Sequence, residues 1–288
     1  TKGVGRRRPG ECEMARIGGR PRSSIEGGTE ESSDLFVQAL ARGLTILTLF
    51  DVEHPNWGLD EISRKTGISK TTAYRMLRTL EWKGFLAFDP ETELYHIGPA
   101  TVPGAYLTLS YVGFARSTHP ILERLAADTG ETVELAVEGK GGAVVVDQVA
   151  TSHPFKPNLP LGRVLRNVAN SAMKVLVAYR PEAERQRSLQ GHHVKLTPHT
   201  KTDSALIAAE LNAVVREGLA YDLEEQDLGV SAVSAPVFGP DGHVRAVVTV
   251  VAPAERFGIG ERKKKAEAVK NTAAELSRYI GRTTAPAN

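Results

Sequence analysis

The chain has 288 residues, of which 41% are hydrophobic and 24% charged, a composition typical of a globular protein with about two domains. Its formal net charge of +2 neither indicates nor excludes a nucleic-acid partner. The longest strongly apolar run, residues 246–252, is far shorter than the roughly 20 residues of a membrane-spanning helix, and the N-terminus lacks the apolar segment of an export signal, so we expect a cytoplasmic protein without a membrane partner.

The first 33 residues are predicted to be a disordered tail. Residues 1–22 carry seven basic and two acidic side chains, a difference of +5, and residues 23–34 carry four acidic ones. The segment is rich in glycine and lacks apolar periodicity, so it cannot bury enough surface to offset the entropy of ordering it. It contains Cys12, the only cysteine, which excludes a disulfide framework or a cysteine-based metal site within the chain. Residues 282–288 are predicted to be a C-terminal tail.

Three helices are predicted after this tail. Apolar residues at spacings of three and four indicate a first helix over residues 35–50. After a loop at residues 54–58, a short second helix starts near Leu59 and stops at Gly67. Ser69 can cap a third helix because its hydroxyl can accept a hydrogen bond from an amide of the first turn. The apolar face of that helix comprises Ala73, Met76, Leu77 and Leu80.

The third helix and a following hairpin indicate a winged helix-turn-helix. Residues 64–83 carry six basic side chains and one acidic one, a difference of +5. Two short strands, 85–88 and 94–97, flank a turn-rich segment. This order of elements places the third helix in the major groove of double-stranded DNA. The predicted DNA contacts are Ser69, Lys70, Thr71, Thr72, Tyr74, Arg75 and Arg78, with Arg78 and the wing nearer the phosphates. The alternative is a helical subdomain with a solvated charged face.

Two segments in this module resemble the IclR family of bacterial transcription regulators: residues 39–47 (ALARGLTIL) and 59–77 (LDEISRKTGISKTTAYRML). The resemblance continues over about residues 35–280. It implies a DNA-binding domain at 34–100, a linker helix at 101–118 and a GAF-like effector-binding domain at 119–281. It also implies a homodimer or a dimer of dimers, with the first helix and the linker helix at the dimer interface, and therefore a near-palindromic operator.

Residues 101–118 contain too many apolar side chains for a free linker, among them Val102, Tyr106 and Leu109. A helix that starts near Ala100 and continues into residues 120–129 would connect the two domains. In the alternative interpretation, these side chains only cover the core of their own domain.

The second domain is predicted to be an antiparallel sheet covered by helices, an α+β fold. Alternating and buried patterns predict strands, and capped apolar periodicities predict helices. The strands are predicted at 132–138, 143–149, 219–222, 230–238 and 244–252, and the helices at 170–179, 181–190, 203–217 and 260–280.

No catalytic constellation is found in the sequence, so we predict neither an enzyme nor a cofactor. The chain lacks a Gly-x-Ser-x-Gly elbow, a Walker loop and a His-Glu-x-x-His motif. Gly139, Gly141 and Gly142 lie between two strands and are typical of a hairpin turn. His192, His193 and His199 lack a nearby carboxylate or cysteine and are interpreted as a solvated loop without a metal.

The family resemblance implies a pocket for a small-molecule effector. Residues 170–178 resemble a motif whose first-turn amides bind an effector carboxylate, which the exposed N–H groups of a helix start can do. The implied wall comprises Ser171, Ala172, Met173, Asp222, Ala232, Thr249 and Val251. Met173, Ala232 and Val251 replace residues that are often Gly, Cys and Ser in the family. We therefore expect an apolar pocket that suits an aromatic or longer aliphatic acid, or a neutral derivative of one. In the alternative, Met173 fills a vestigial cavity.

These observations predict a ligand-responsive repressor of a catabolic operon that senses a small acid or a related metabolite. An aromatic acid is one candidate for this ligand. The main alternative is an enzyme that processes a small acid and carries an appended DNA-binding module. A further alternative is an architectural DNA-binding protein that needs no ligand.

Overall fold

The computed structural model describes residues 36–111, 114–139, 141–157, 160–190 and 193–283. The predicted N-terminal tail lies outside these residues, as do residues 284–288 of the predicted C-terminal tail. Among the described residues, no helix combines the length and the apolarity that crossing a membrane requires.

The chain divides into two compact units, Thr1–Arg42 and Gly43–Asn288. The described part of the first unit contains the start of helix α1 (Gln38–Leu47), in which Leu40 is 61% exposed. In the second unit, α1 continues with Leu44, which is 52% exposed, and Ile46, which is fully buried. The first predicted helix is thus confirmed, although it ends at Leu47, before the predicted end at residue 50.

A small helical domain with a hairpin follows α1. It comprises β1 (Asn56–Trp57), α2 (Leu59–Thr66), α3 (Lys70–Trp82), β2 (Leu86–Asp89) and β3 (Leu94–Ile97). Ile62, Leu77 and Tyr95 belong to its buried core. The prediction of a loop at residues 54–58 was wrong at Asn56 and Trp57, which pair with β3. The indole of Trp57 donates to the carbonyl of Leu49 at 3.0 Å, and this long-range contact holds the short strand in place.

The connection between the domains consists of helices α4 (Val102–Tyr111) and α5 (Phe114–Thr129), and residues 112 and 113 lie outside the described residues. A single turn of 3-10 helix, Pro99–Thr101, precedes α4. On α4, Val102 and Leu107 are 63% and 54% exposed. These side chains therefore do not cover the core of their own domain.

The second domain contains one antiparallel sheet in the part of the chain that the structure describes, with strand order β6-β5-β4-β9-β8-β7. Its helices are α6 to α9. The strands are β4 (Thr132–Gly139), β5 (Gly142–Val149), β6 (Val164–Leu165), β7 (Ala220–Leu223), β8 (Val230–Phe238) and β9 (Val244–Pro253), and the helices are α6 (Ser171–Ala178), α7 (Glu182–Leu189), α8 (Ser204–Glu217) and α9 (Ile259–Thr283). The predicted α+β fold is confirmed.

Helices cover both faces of this sheet. Val133 and Leu135 of β4 pack in one core with residues of α5 and α9. Ala136 of the same strand belongs to a second core, which includes residues of α6 and α8. Successive side chains of a strand point to opposite faces, and here helices cover both faces. A polar residue of β4 on the second face is therefore buried as well. Glu134, for example, is only 2% exposed.

Candidate functional site

The predicted DNA-binding surface is built by the turn between α2 and α3. Gly67 ends α2 with a φ of 70°, a left-handed conformation that glycine adopts without strain. Ser69 then caps α3, because its hydroxyl accepts from the amide of Thr72 at 3.4 Å and donates to the hydroxyl of Thr72 at 2.9 Å. Two short helices are thereby joined by a three-residue turn, the geometry of a helix-turn-helix.

All seven predicted DNA contacts lie on α3 or cap it, and most of them are exposed. Lys70 pairs with the equally exposed Asp60 at 2.6 Å. Arg75 is exposed and forms no ion pair with any residue that the structure describes. Thr72 is partly buried, and the exposed members are Ser69, Lys70, Thr71, Tyr74 and Arg75.

The C-terminal end of α3 and the wing are less suited to phosphate contact than the start of the helix. Arg78 is partly buried, pairs with Glu81 at 2.7 Å and lies 5.6 Å from the ring centre of Trp82. In the wing turn, Asp89 accepts from the amide of Glu91 and the hydroxyl of Thr92, and these bonds lower the pKa of Asp89. The wing turn carries only acidic charges, so it repels the DNA backbone unless it points away from it.

A small cavity lies on the α6 side of the sheet, and it brings together four of the seven predicted effector contacts. These are Asp222, Ala232, Thr249 and Val251. The cavity is about 10 Å³, which is room for about one water molecule. A larger ligand therefore requires the segments that cover the sheet to move apart. The wall also contains residues that were not predicted, among them Glu134, Arg163, Asn170 and Asp227.

The other three predicted contacts, at the start of α6, do not line this cavity. Ser171 accepts from the hydroxyl of Ser234 at 2.8 Å, and the amide of Ala172 donates to the side chain of Asn170 at 2.9 Å. Met173 lines a separate groove of about 370 Å³ together with Arg166. Consecutive helical residues are about 100° apart around the axis, so three in a row cannot face one cavity. Met173 thus lies outside this cavity, whose wall combines charged side chains with apolar ones, among them Leu165, Val230 and Val251.

Glu134 and Arg163 form the charged group that sequence reasoning missed. Burial raises the pKa of Glu134, and Arg163 opposes this rise. The guanidinium of Arg163 lies 3.4 and 3.5 Å from the two carboxylate oxygens of Glu134, and Gln148 donates to the same carboxylate at 3.2 Å. The Nε–H of Arg163 is buried and has no acceptor among the described residues. The alternation of side chains along β4 predicts that Glu134 and Val133 point to opposite faces of the sheet. That the Glu134 face is buried follows only from the structure, in which α6 and its neighbours cover it.

Asp222 is the other buried carboxyl group of the cavity, at 3% exposure. It accepts from the amides of Glu225 at 2.8 Å and Gln226 at 3.2 Å. Burial raises its pKa to about 7, because these bonds and the charge of Lys174 offset the loss of hydration only in part. Near neutral pH this group therefore exists in both protonation states.

The raised pKa of Asp222 predicts a pH dependence of stability. Between its ordinary pKa of 3.8 and about 7, the folded protein keeps a proton that the unfolded chain has released, so the free energy of unfolding falls as pH rises through this window and levels off above it. The variant Asp222→Asn lacks this pH-dependent contribution to the free energy of unfolding. We expect its melting temperature, relative to wild type, to rise from about pH 5 to about pH 8 in calorimetry. Asp241→Asn, at an exposed turn, is the control, and parallel profiles for Asp222→Asn and wild type would contradict the prediction.

A buried ion cluster lies next to Asp222. The ammonium group of Lys174 donates to Glu225 at 2.6 Å, to the carbonyl of Tyr221 at 2.7 Å and to Glu210 at 2.9 Å. Lys201 reaches the same two carboxylates at 2.9 and 3.0 Å. These bonds join α6, α8 and the segment after β7, and thus hold in place the end of the strand that carries Asp222.

Among the described residues, no group of three or more potential ligands is placed to hold a metal ion. His192 of the histidine cluster lies outside the described residues, and the Nε2 of His193 is 3.3 Å from the carbonyl of Leu189. No arrangement in the part of the chain that the structure describes favours the alternative of a small-acid-processing enzyme.

Comparison with known proteins gives the same assignment for both domains. The model of the bacterial transcriptional regulator IclR C-terminal domain matches residues 106–278, and that of the IclR helix-turn-helix domain matches residues 39–90. The HTH-type transcriptional regulator BhcR of Paracoccus denitrificans is 29% identical over 261 residues, which cover 90% of this chain and 92% of that protein. The HTH-type transcriptional repressor AllR of Escherichia coli is 27% identical over 270 residues, covering 91% and 96%. The solved structure of an IclR-type regulator from Silicibacter sp. TM1040 has a TM-score of 0.79 at 27% identity, covering 84% of this chain and 96% of that chain.

Proposed function

Because the chain belongs to the IclR family of bacterial transcriptional regulators, we propose that it is a cytoplasmic, effector-responsive repressor of a catabolic operon. The observation that carries the proposal is that one chain contains both an exposed row of hydrogen-bond donors on a capped α3 and a cavity with charged side chains in the second domain. A repressor is the favoured direction because AllR, a relative over nearly its whole length, is a repressor.

In the proposed DNA complex, the N-terminal half of α3 lies in the major groove. Arg75, which no carboxylate of the described residues neutralises, donates to a base edge, the commonest specific contact of arginine. Lys70, Thr71 and Tyr74 lie beside it on the exposed side of the helix. Ser69 and Thr72, engaged in the cap, position the helix start, and Arg78 has a smaller part because it is already paired.

Dimerisation explains the exposed apolar side chains of α1 and α4. Leu44 of α1 and Val102 and Leu107 of α4 are each more than half exposed. Large apolar side chains grouped on a helix are typical of surfaces that a partner covers. A homodimer, or a dimer of dimers, would then bind a near-palindromic operator with half-sites one or more helical turns apart.

The proposed effector is a small acid with an apolar or aromatic body. Arg163 offers a buried donor for a carboxylate, and Ala136, Leu165, Val230, Ala232 and Val251 offer apolar wall. Because the cavity has room for about one water molecule, a larger effector binds a conformation in which the covering segments are further apart. The effector can change DNA affinity only through its preference for that conformation.

The experiment that tests the proposal is footprinting of the full chain on the DNA that flanks its own gene. We expect one protected, near-palindromic site, and loss of protection when substrates of the neighbouring operon are added. No protected site would contradict a role in transcription, whereas a site that every candidate ligand leaves protected would favour the architectural alternative.

A further inference from the structure

The cavity has two charged ends with small side chains between them. Arg163 precedes β6 and contacts Glu134 of β4, whereas Asp222 lies on β7 at the opposite edge of the sheet. Val251 of β9 and Ala232 of β8 lie between the two ends, since Asp222 is opposite Ala232 and Ala232 is opposite Val251 in the strand register. The ends are thus set by the strand order.

The distance between the ends suits a ligand longer than an α-amino or α-oxo acid. From β4 to β7 there are three inter-strand steps of about 4.8 Å, which place the two backbones about 14 Å apart. The side chains of both ends reach into one cavity and shorten this gap. A ligand that contacts both ends therefore carries its two polar groups at opposite ends of its body.

The Arg163 end of the cavity is suited to a hydrogen-bond acceptor of a ligand. Its ion pair with Glu134 is long, at 3.4 Å, and its Nε–H has no acceptor among the described residues although it is buried. A buried donor without a partner carries the full cost of its lost hydration, which a ligand carboxylate would offset. Burial raises the pKa of Glu134, and this reduces the repulsion that a second carboxylate meets at this end.

The Asp222 end of the cavity is suited to a cationic group of a ligand. Asp222 and Asp227 both line it, and Arg163 at the far end is the only basic side chain among the described residues of the wall. Lys174 approaches Asp222 from behind, but its ammonium group donates to Glu210, Glu225 and the carbonyl of Tyr221. A ligand anion placed here would be repelled by the ionised forms of these two carboxyl groups, whereas a ligand cation would stabilise the ionised form of Asp222.

We propose that the effector is a zwitterion: an apolar or aromatic acid whose carboxylate binds Arg163 and whose protonated amine, at the other end of the molecule, pairs with Asp222. The role of this ligand as an effector rests on the proposed function. Its body lies against Val251 and Ala232, its carboxylate accepts from the buried Nε–H of Arg163, and its ammonium group meets Asp222, to which no lysine or arginine of the described residues donates a hydrogen bond.

Four compounds that share one ring test this inference by calorimetry on the full chain. They are 4-(aminomethyl)benzoate with both charges, 4-methylbenzoate without the amine, 4-methylbenzylamine without the carboxylate, and terephthalate with a second anion in place of the amine. We expect the zwitterion to bind at least about tenfold more tightly than any of the other three, because removing one charge loses an ion pair and strands a buried group. Equal or tighter binding of 4-methylbenzoate or terephthalate would overturn the inference.

Two variants assign the ends. In Asp222→Asn, the preference for 4-(aminomethyl)benzoate over 4-methylbenzoate should fall to about one. In Arg163→Gln combined with Glu134→Gln, which leaves no buried charge unpaired, the preference over 4-methylbenzylamine should fall in the same way. Asp241→Asn and Arg245→Gln, which break an exposed ion pair on a turn, are the matched controls and should keep both preferences. Preferences that persist in the cavity variants would overturn the assignment.

Operator binding by the same preparation separates the two levels of the proposal. If the operator is protected but no compound of the series binds at millimolar concentration, the zwitterion is wrong and the regulator stands. If no operator is protected while the zwitterion binds with both preferences, the cavity assignment stands and the proposed function fails.

Discussion

Replacing Lys174 by methionine is expected to lower the melting temperature of the second domain by about 10 °C. Lys174 is 1% exposed, and its ammonium group is bonded to Glu210, Glu225 and the carbonyl of Tyr221. Methionine fills a similar volume, so the main effect is electrostatic: Glu225, itself buried, loses its shortest partner. Breaking a buried ion pair from one side costs about 3–5 kcal/mol, and in a domain of this size each kcal/mol shifts the melting temperature by about 2–4 °C.

Differential scanning calorimetry of the full chain is the measurement, because it resolves the two domains if they melt separately. Lys264→Met is the matched control: it breaks a pair with Glu261 between two exposed side chains and should leave the transition unchanged. In Lys174→Met, Glu225 keeps only one of its two lysine partners, Lys201 at 2.9 Å, so adding Glu225→Gln removes an incompletely paired buried charge and should restore part of the loss. If Lys174→Met melts as wild type does, the cluster does not hold α6 to β7 and the segment that follows it.

The second large effect is expected at the DNA surface, where Arg75→Ala should abolish the footprint at concentrations at which wild type protects its operator. One bidentate contact of arginine to a base contributes about 1–3 kcal/mol, and a dimer makes that contact twice, so the loss is about 2–6 kcal/mol or at least about 30-fold in Kd. The side chain is exposed and packs against no core, so the fold and the affinity for effector should not change.

Titration of a labelled operator by electrophoretic mobility shift measures this change, with Arg245→Ala on the distant β8–β9 hairpin as the control for a lost surface charge. Arg75→Lys separates recognition from charge: lysine keeps the cation but not the planar fork, so discrimination between operator and random DNA should fall more than affinity for random DNA. Unchanged operator affinity of Arg75→Ala would show that α3 docks in another orientation.

Local signals predicted the DNA-binding domain well because each of its elements is specified by neighbouring residues. Gly67 supplies the left-handed conformation that ends α2, and Ser69 accepts the hydrogen bond that starts α3. The apolar spacing of Ala73 and Leu77 sets the buried side of α3, which in turn leaves Tyr74 and Arg75 exposed. The strand Asn56–Trp57 was missed because it pairs with β3, a segment distant in the chain.

The candidate pocket was predicted only in part, for a reason that concerns packing. Resemblance to a family motif indicated Ser171, Ala172 and Met173, but the rotation of a helix and the capping bond of Asn170 turn these residues away from the cavity. Periodicity placed Glu134 on one face of β4 and could not tell whether water or another layer covers that face. Arg163 lies in an irregular segment before a two-residue strand, where no pattern marks it.

By itself, the sequence determined the helices and the longer strands, the winged helix-turn-helix and the row of donors on α3, because these depend on contacts within a few residues, whereas the two-residue strands β1 and β6 were not predicted. Only the tertiary structure decided the chemistry of the cavity. Glu134, Arg163 and Asp222 come from three strands or loops far apart in the chain, and their charges matter because the sheet and the layer that covers its α6 side largely remove them from water. Burial and strand order are properties of the assembled sheet, and they turn three separate charged residues into a cavity with one cationic and one anionic end.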